Sequence, residues 1–83
     1  MERITIFGRE GCGFCSRAKE VCERYQLDFR YFDIHKEGIS KADLEKTVGK
    51  PVETVPQIFC GKAHIGGYTE LMTFLNEQGV IDA

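Results

Sequence analysis

Two of the four cysteines in this 83-residue chain, Cys12 and Cys15, are separated by only two residues. A Cys-x-x-Cys pair belongs to a secreted disulfide framework, to a structural zinc site or to a redox-active dithiol. The residues after Met1 form no apolar export signal, which argues against the framework. Zinc sites usually pair two sets of ligands, and neither His35 nor His64 lies at ligand spacing. The pattern therefore favours a redox dithiol in a reducing compartment, with no metal site.

The two cysteines are expected to have unequal roles. A helical pattern begins at the pair, so Cys12 would lie near unpaired backbone N–H groups and the positive end of a helix dipole. Arg9 adds a cation, and such settings commonly lower a cysteine pKa from about 8.5 to roughly 3.5–7.5. We expect Cys12 to be the nucleophile and Cys15 to attack the resulting mixed disulfide. Spacing and placement alone leave open that both are ordinary helix-start cysteines.

The other cysteines and the histidines are expected to carry no chemistry. Cys22 lies two turns after Cys15 on the same apolar helix face, where a cysteine serves as a small hydrophobic residue. Cys60 ends a predicted strand, which leaves open a buried side chain or an exposed, reactive thiol. We interpret His35 and His64 as surface or strand-end residues rather than catalytic bases.

The apolar pattern predicts an α/β fold that would hold the pair at a strand–helix junction. Ser40 and Asp43 resemble a capping box, and Gly61-Lys62 is typical of a hairpin turn. A helix separates the first two strands, so they should be parallel. The predicted order is a strand over 3–7, a helix from Gly13, a strand over 29–34, a helix over 41–48, strands over 57–60 and 63–65, and a helix ending at Gly79. This βαβαββα order predicts a four-stranded mixed sheet flanked by helices, a minimal thioredoxin-like architecture.

Composition limits the classes of partner. The chain is 42% hydrophobic and 29% charged, with a net charge of −2 and no long basic run. We therefore expect one domain over residues 1–83, with neither nucleic acid nor a membrane as partner. A cytoplasmic monomer is the simplest expectation.

Four segments together resemble a dithiol glutaredoxin of the short bacterial type: residues 7–15, 54–59, the strand pair that follows, and 66–70. The resemblance spans essentially the whole chain. It implies an enzyme that uses glutathione as co-substrate to reduce protein disulfides and protein–glutathione mixed disulfides. It also implies ribonucleotide reductase as one client, although no residue identifies it.

The resemblance also implies where glutathione binds. Pro56 would be a cis proline beside the cysteines, and Val55 would pair its backbone with the glutathione cysteine. Backbone amides near Thr69 would receive the γ-glutamyl carboxylate, and Arg9 the glycyl carboxylate. The implied binding residues are Arg9, Phe14, Thr54, Val55, Pro56, Gly67, Tyr68, Thr69 and Glu70.

Three of these positions have open alternatives. Arg9 also fits a solvated surface cation, and Tyr68 fits either a groove wall or a cover over the core. The family usually carries Asp where this chain has Glu70, which puts a contact with the γ-glutamyl amino group in doubt.

The chain departs from the family between its two cysteines. Dithiol glutaredoxins most often carry Pro and Tyr there, whereas this chain has Gly13 and Phe14. Glutaredoxins that lack this proline sometimes hold a [2Fe–2S] cluster between two subunits, on the first cysteine and the thiol of glutathione. An iron–sulfur carrier dimer is therefore the alternative function. A thioredoxin-like enzyme with a dedicated reductase is a second one, disfavoured by the Gly66–Glu70 segment.

Overall fold

The computed structural model describes residues 1–81, which form four strands and three helices in the predicted order. The elements are β1 (Ile4–Gly8), α1 (Gly13–Arg24), β2 (Phe29–Asp33), α2 (Lys41–Val48), β3 (Gln57–Cys60), β4 (Ala63–Gly66) and α3 (Tyr68–Glu77). The bounds of α2 and β3 match the prediction. The predicted start of α1 at Gly13 also matches. The other bounds differ by one or two residues, as for β1, which begins and ends one residue later than predicted.

The strands form one mixed sheet in the order β2-β1-β3-β4. β1 pairs in parallel with β2, as the intervening helix predicted, and antiparallel with β3. β3 and β4 are antiparallel, with a register shift between Ile58 and Phe59. This is the predicted thioredoxin-like arrangement, and it places the carboxyl end of β1 directly before the cysteine pair.

The core lies between one face of the sheet and helices α1 and α3. Its fully buried side chains come from alternate strand positions and from one stripe on each helix: Ile4, Ile6, Ala18, Cys22, Ile58, Leu71 and Leu75. Burying a side chain such as Leu or Ile contributes roughly 1.5–3 kcal/mol. The two helices are thereby fixed against the sheet, and each presents its N-terminus at the same end of the molecule as the cysteines.

Both cysteines outside the pair are buried. Cys22 is inaccessible, and burial, reinforced by Glu23, raises the pKa of its thiol to about 11. Cys60 is 8% exposed, and its Sγ lies 3.6 Å from the Glu2 carbonyl oxygen. The packing expected for Cys22 is confirmed, and the alternative left open for Cys60 is decided in favour of burial.

The opposite face of the sheet is aromatic and lies on the side of α2. Phe7 stacks on Phe32 with 5.7 Å between ring centroids and meets the edge of Phe59 at 6.0 Å. Thr47 of α2 lines a cavity with Phe7 and Phe59. Helices therefore flank both faces, as predicted. Within residues 1–81, no helix has the length and apolar character needed to cross a bilayer.

Candidate active site

Helix α1 begins at the predicted nucleophile. Cys12 is the N-cap residue, with extended backbone, and its Sγ accepts a hydrogen bond from the Cys15 N–H at 3.1 Å. The two cysteines form a disulfide, with 5.2 Å between their Cα atoms. Cys12 is half-buried and Cys15 fully buried. The first turn of α1 carries no acidic residue, so the N–H groups and dipole at this end act on the Cys12 sulfur unopposed.

The segment before β3 brings backbone polar groups to that sulfur. The Val55–Pro56 peptide bond is cis, as the resemblance implied, and Pro56 is buried. The Val55 carbonyl oxygen lies 3.6 Å from Cys12 Sγ. Within residues 1–81, the Val55 N–H donates to no protein acceptor. An extended ligand placed here would find a free donor and an acceptor beside the reactive atom.

Eight of the nine predicted binding residues line one groove of about 280 Å³: Phe14, Thr54, Val55, Pro56, Gly67, Tyr68, Thr69 and Glu70. The Phe14 side chain is 54% exposed, and its ring lies 5.8 Å from that of Tyr68. The Arg17 guanidinium covers Phe14 at 5.3 Å from the ring centroid. Tyr68 therefore forms a wall of the groove, although its side chain is also partly buried against the core.

The first turn of α3 forms the far end of this groove. Gly67 is its N-cap and has no side chain with which to satisfy the N–H groups of the first turn. The Tyr68 and Thr69 N–H groups have no acceptor within residues 1–81. The Glu70 carboxylate turns back instead, and its Oε1 accepts the Gly67 N–H at 2.8 Å. An anion at this end would meet two free amides and one carboxylate already engaged with its own helix.

Arg9 is the predicted residue that lies outside the groove. Its side chain is exposed and donates a weak 3.4 Å hydrogen bond to the Glu10 carbonyl oxygen. It lines a neighbouring cavity of about 570 Å³ that shares Thr54 and Val55 with the groove. Arg9 and the α3 terminus therefore belong to two neighbouring cavities that meet at Thr54 and Val55.

Two features of the site were not predicted. An ideal Cβ built on Gly8 would lie 2.8 Å from Tyr31 Cζ and 3.0 Å from Cys15 Cβ, so the absence of a side chain at Gly8 lets β1 approach the cysteine pair closely. On the other side, His64 Nε2 and Gln57 Oε1 are 2.7 Å apart, and Gln57 Nε2 donates to the Thr54 carbonyl oxygen at 2.8 Å. The alternation of β1 and the strand pair around Gly61-Lys62 were the only sequence signals for these contacts.

Comparison with known proteins agrees with this geometry. The family model of glutaredoxin matches residues 4–65. Glutaredoxin 1 of Salmonella typhimurium is 60% identical over 79 residues, which cover 89% of this chain and 91% of that protein.

Solved structures give the same result. Reduced Escherichia coli glutaredoxin superimposes with a TM-score of 0.84 at 45% identity, covering 95% of this chain and 99% of that one. A buckwheat glutaredoxin solved as a glutathione complex has a TM-score of 0.73 at 27% identity, covering 93% of this chain and 70% of that one. The fold, the disulfide-forming cysteine pair and the sequence relationship agree, and the chain belongs to the glutaredoxin family of glutathione-dependent thiol–disulfide oxidoreductases.

Proposed function

We propose that this glutaredoxin binds glutathione along the groove and reduces both protein–glutathione mixed disulfides and protein disulfides with the Cys12/Cys15 dithiol. The observation that carries the proposal is the position of the Val55 backbone, whose carbonyl oxygen lies 3.6 Å from Cys12 Sγ and whose N–H is free among residues 1–81. A cysteine residue that pairs with this backbone as a short strand presents its own sulfur to Cys12.

We place the two carboxylates of glutathione in the order that the family resemblance implies, each at a group that favours an anion. Its γ-glutamyl carboxylate is placed at the free amides of Tyr68 and Thr69, where the N-terminus of α3 favours an anion. Its glycyl carboxylate is placed in the neighbouring cavity that shares Val55, where Arg9 supplies a cation. Phe14 and Tyr68 cover the apolar part of the tripeptide. All these residues belong to one chain, so a monomer contains the whole site.

The first reaction is thiolate exchange at the glutathione sulfur. The Cys12 thiolate attacks the glutathione sulfur of a glutathionylated protein, a new S–S bond forms, and the protein's cysteine leaves as a thiolate that takes up a proton. A second glutathione thiolate then attacks the glutathione sulfur on Cys12. This step releases oxidised glutathione and restores the Cys12 thiolate, so Cys15 is not required.

Reduction of a protein disulfide requires the second cysteine. Cys12 attacks one sulfur of the substrate, and the other substrate sulfur leaves as a thiol. Cys15 then attacks Cys12, which releases the second substrate thiol and leaves the Cys12–Cys15 disulfide seen in the structure. Two glutathione molecules reduce that disulfide and become one molecule of oxidised glutathione. The buried position of Cys15 restricts it to this intramolecular step.

The test is turnover with glutathione, glutathione reductase and NADPH for wild type, Cys12→Ser and Cys15→Ser, with Cys60→Ser as a matched control outside the site. We expect Cys12→Ser to be inactive on both kinds of substrate. Cys15→Ser should keep its activity on a glutathionylated peptide and lose most reduction of a protein disulfide. Cys60→Ser should match wild type. Substantial turnover by Cys12→Ser, or equal loss on both substrates by Cys15→Ser, would contradict the proposal.

A further inference from the structure

Gln57 and His64 form hydrogen bonds that end on the Thr54–Val55 peptide group, and the mechanism above does not use either residue. Gln57 Nε2 donates to the Thr54 carbonyl oxygen at 2.8 Å, and Gln57 Oε1 lies 2.7 Å from His64 Nε2. His64 is itself packed against Phe59, with 5.1 Å between ring centroids. These contacts form a chain of hydrogen bonds that runs from β4 through β3 to the segment beside Cys12.

Which groups donate and which accept in this series of hydrogen bonds follows from the chemistry of the side chains. A carbonyl oxygen only accepts, so the Gln57 group that faces Thr54 must be the NH₂ group. The Gln57 oxygen then faces His64, and His64 Nε2 must carry a proton. Both the imidazolium and the neutral tautomer protonated at Nε2 satisfy this requirement. The arrangement therefore persists whether His64 is charged or neutral.

The Thr54 carbonyl and the Val55 N–H belong to the same peptide group. In a trans peptide they point in opposite directions, so a group that fixes the carbonyl also fixes the direction of the N–H. A hydrogen bond accepted by the carbonyl also polarises the N–H and makes it a better donor. The hydrogen bond from Gln57 therefore acts on the free Val55 N–H, which receives the glutathione cysteine in the proposed function.

We propose that Gln57 and His64 are positioning residues for glutathione: Gln57 locks the Thr54–Val55 peptide plane with its N–H directed into the groove, and His64 holds the Gln57 amide in the required orientation. This inference rests on the proposed binding mode. Neither residue lines the 280 Å³ groove, so both act through the backbone rather than by contact with the ligand.

The experiment measures the first half-reaction in single turnover, with reduced protein in excess over a peptide that carries glutathione in disulfide linkage. A second substrate is the same peptide linked to 2-mercaptoethanol, which offers Cys12 the same bond but no backbone to pair with Val55. Gln57→Met removes both of the Gln57 hydrogen bonds. Gln57→Glu keeps an acceptor for His64 but sets a carboxylate oxygen against the Thr54 carbonyl, and His64→Phe keeps the ring on Phe59. Lys62→Gln, at the exposed hairpin turn, is the control.

For the glutathione substrate, we expect the half-saturating protein concentration to rise about 3- to 10-fold in both Gln57 variants and less in His64→Phe, with the limiting rate within about 2-fold. The 2-mercaptoethanol substrate and Lys62→Gln should show no change. An unchanged half-saturation in Gln57→Glu and Gln57→Met, or an equal loss on both substrates, overturns the inference. A wild-type protein that does not prefer the glutathione substrate would instead overturn the proposed function.

Discussion

Helices α1 and α2 begin with the same spacing of residues but use it for different purposes. At α2, the Ser40 hydroxyl accepts the Asp43 N–H at 3.0 Å, and the Asp43 carboxylate accepts the Ser40 N–H at 3.1 Å. At α1, the N-cap and the third helical residue are Cys12 and Cys15, and the Cys12 sulfur accepts the Cys15 N–H at 3.1 Å. The spacing that makes a capping box at α2 makes a redox pair at α1.

The difference lies in what satisfies the positive end of each helix. α2 carries its own carboxylate in the first turn, which stabilises the helix and disfavours an anion at that end. α1 has no acidic residue there, so its N–H groups are available to a sulfur anion. α3 is intermediate, because its Glu70 carboxylate accepts the Gly67 N–H but Gly67 has no side chain to accept an N–H of the first turn. A helix terminus can thus serve either stability or function, and the residues at its cap decide which.

The largest effect is expected at Cys12, which is both the nucleophile and the N-cap residue of α1. Serine is a strong N-cap, so Cys12→Ser should keep the free energy of unfolding within about 0.5 kcal/mol of the reduced wild type while abolishing turnover. Cys12→Ala should lose turnover and also about 1 kcal/mol of stability. Denaturant unfolding under reducing conditions measures the difference. Equal stability of the two variants would show that the sulfur position does not cap α1.

Removal of the N-cap side chain of α2 should affect stability alone. Ser40→Ala should lower the free energy of unfolding by about 1 kcal/mol, because the N–H of Asp43 loses its acceptor, and turnover should not change. Thr47→Ala, on the same helix but away from the cap, should stay within about 0.5 kcal/mol of wild type. A clear fall in the turnover of Ser40→Ala would mean that α2 contributes to the site.

The sequence predicts the bounds of α2 more accurately than the end of β1. The bounds of α2 follow from Ser40 and Gly49, because a capping box begins the helix and a glycine with positive φ ends it. The end of β1 was placed one residue early, because Gly8 was interpreted as the residue that stops the strand. In the structure Gly8 is the last residue of β1 and pairs with Asp33, and a side chain there would crowd Tyr31 and Cys15.

The site itself was predictable only in part. Cys12 and Cys15 are recognisable from their spacing, whereas the groove residues followed from family resemblance, because Thr54 and Thr69 carry no local signal of binding. The contact between Gln57 and His64 was not predicted. It depends on the pairing of β3 with β4, which contains a register shift between Ile58 and Phe59 that no residue pattern indicates.

The charge in the α2 cap should make part of the stability depend on pH. The backbone N–H of Ser40, followed by its hydroxyl, holds the pKa of Asp43 below its ordinary value of 3.8. A carboxylate with a lowered folded-state pKa stabilises the protein above its unfolded-state pKa and loses that contribution as the pH falls through the folded-state value. The stability difference between wild type and Asp43→Asn, measured by denaturant unfolding, should therefore be larger at pH 6 than at pH 2.5. A stability difference that stays the same at both pH values would exclude the Asp43 carboxylate as the source of the pH dependence.

The smallest effect is expected at α3, where Glu70 lines the end of the groove but its carboxylate is already bonded to its own helix. Its carboxylate accepts the Gly67 N–H, and the amide oxygen of Gln can accept the same bond. Glu70→Gln should therefore change the KM for a glutathionylated peptide by less than about 2-fold, because neither the helix cap nor the free amides are lost. Thr73→Ala, on the same helix beyond the groove, is the control. A several-fold rise in KM, larger at low salt than at high salt, would show that the carboxylate leaves Gly67 to bind the γ-glutamyl ammonium group.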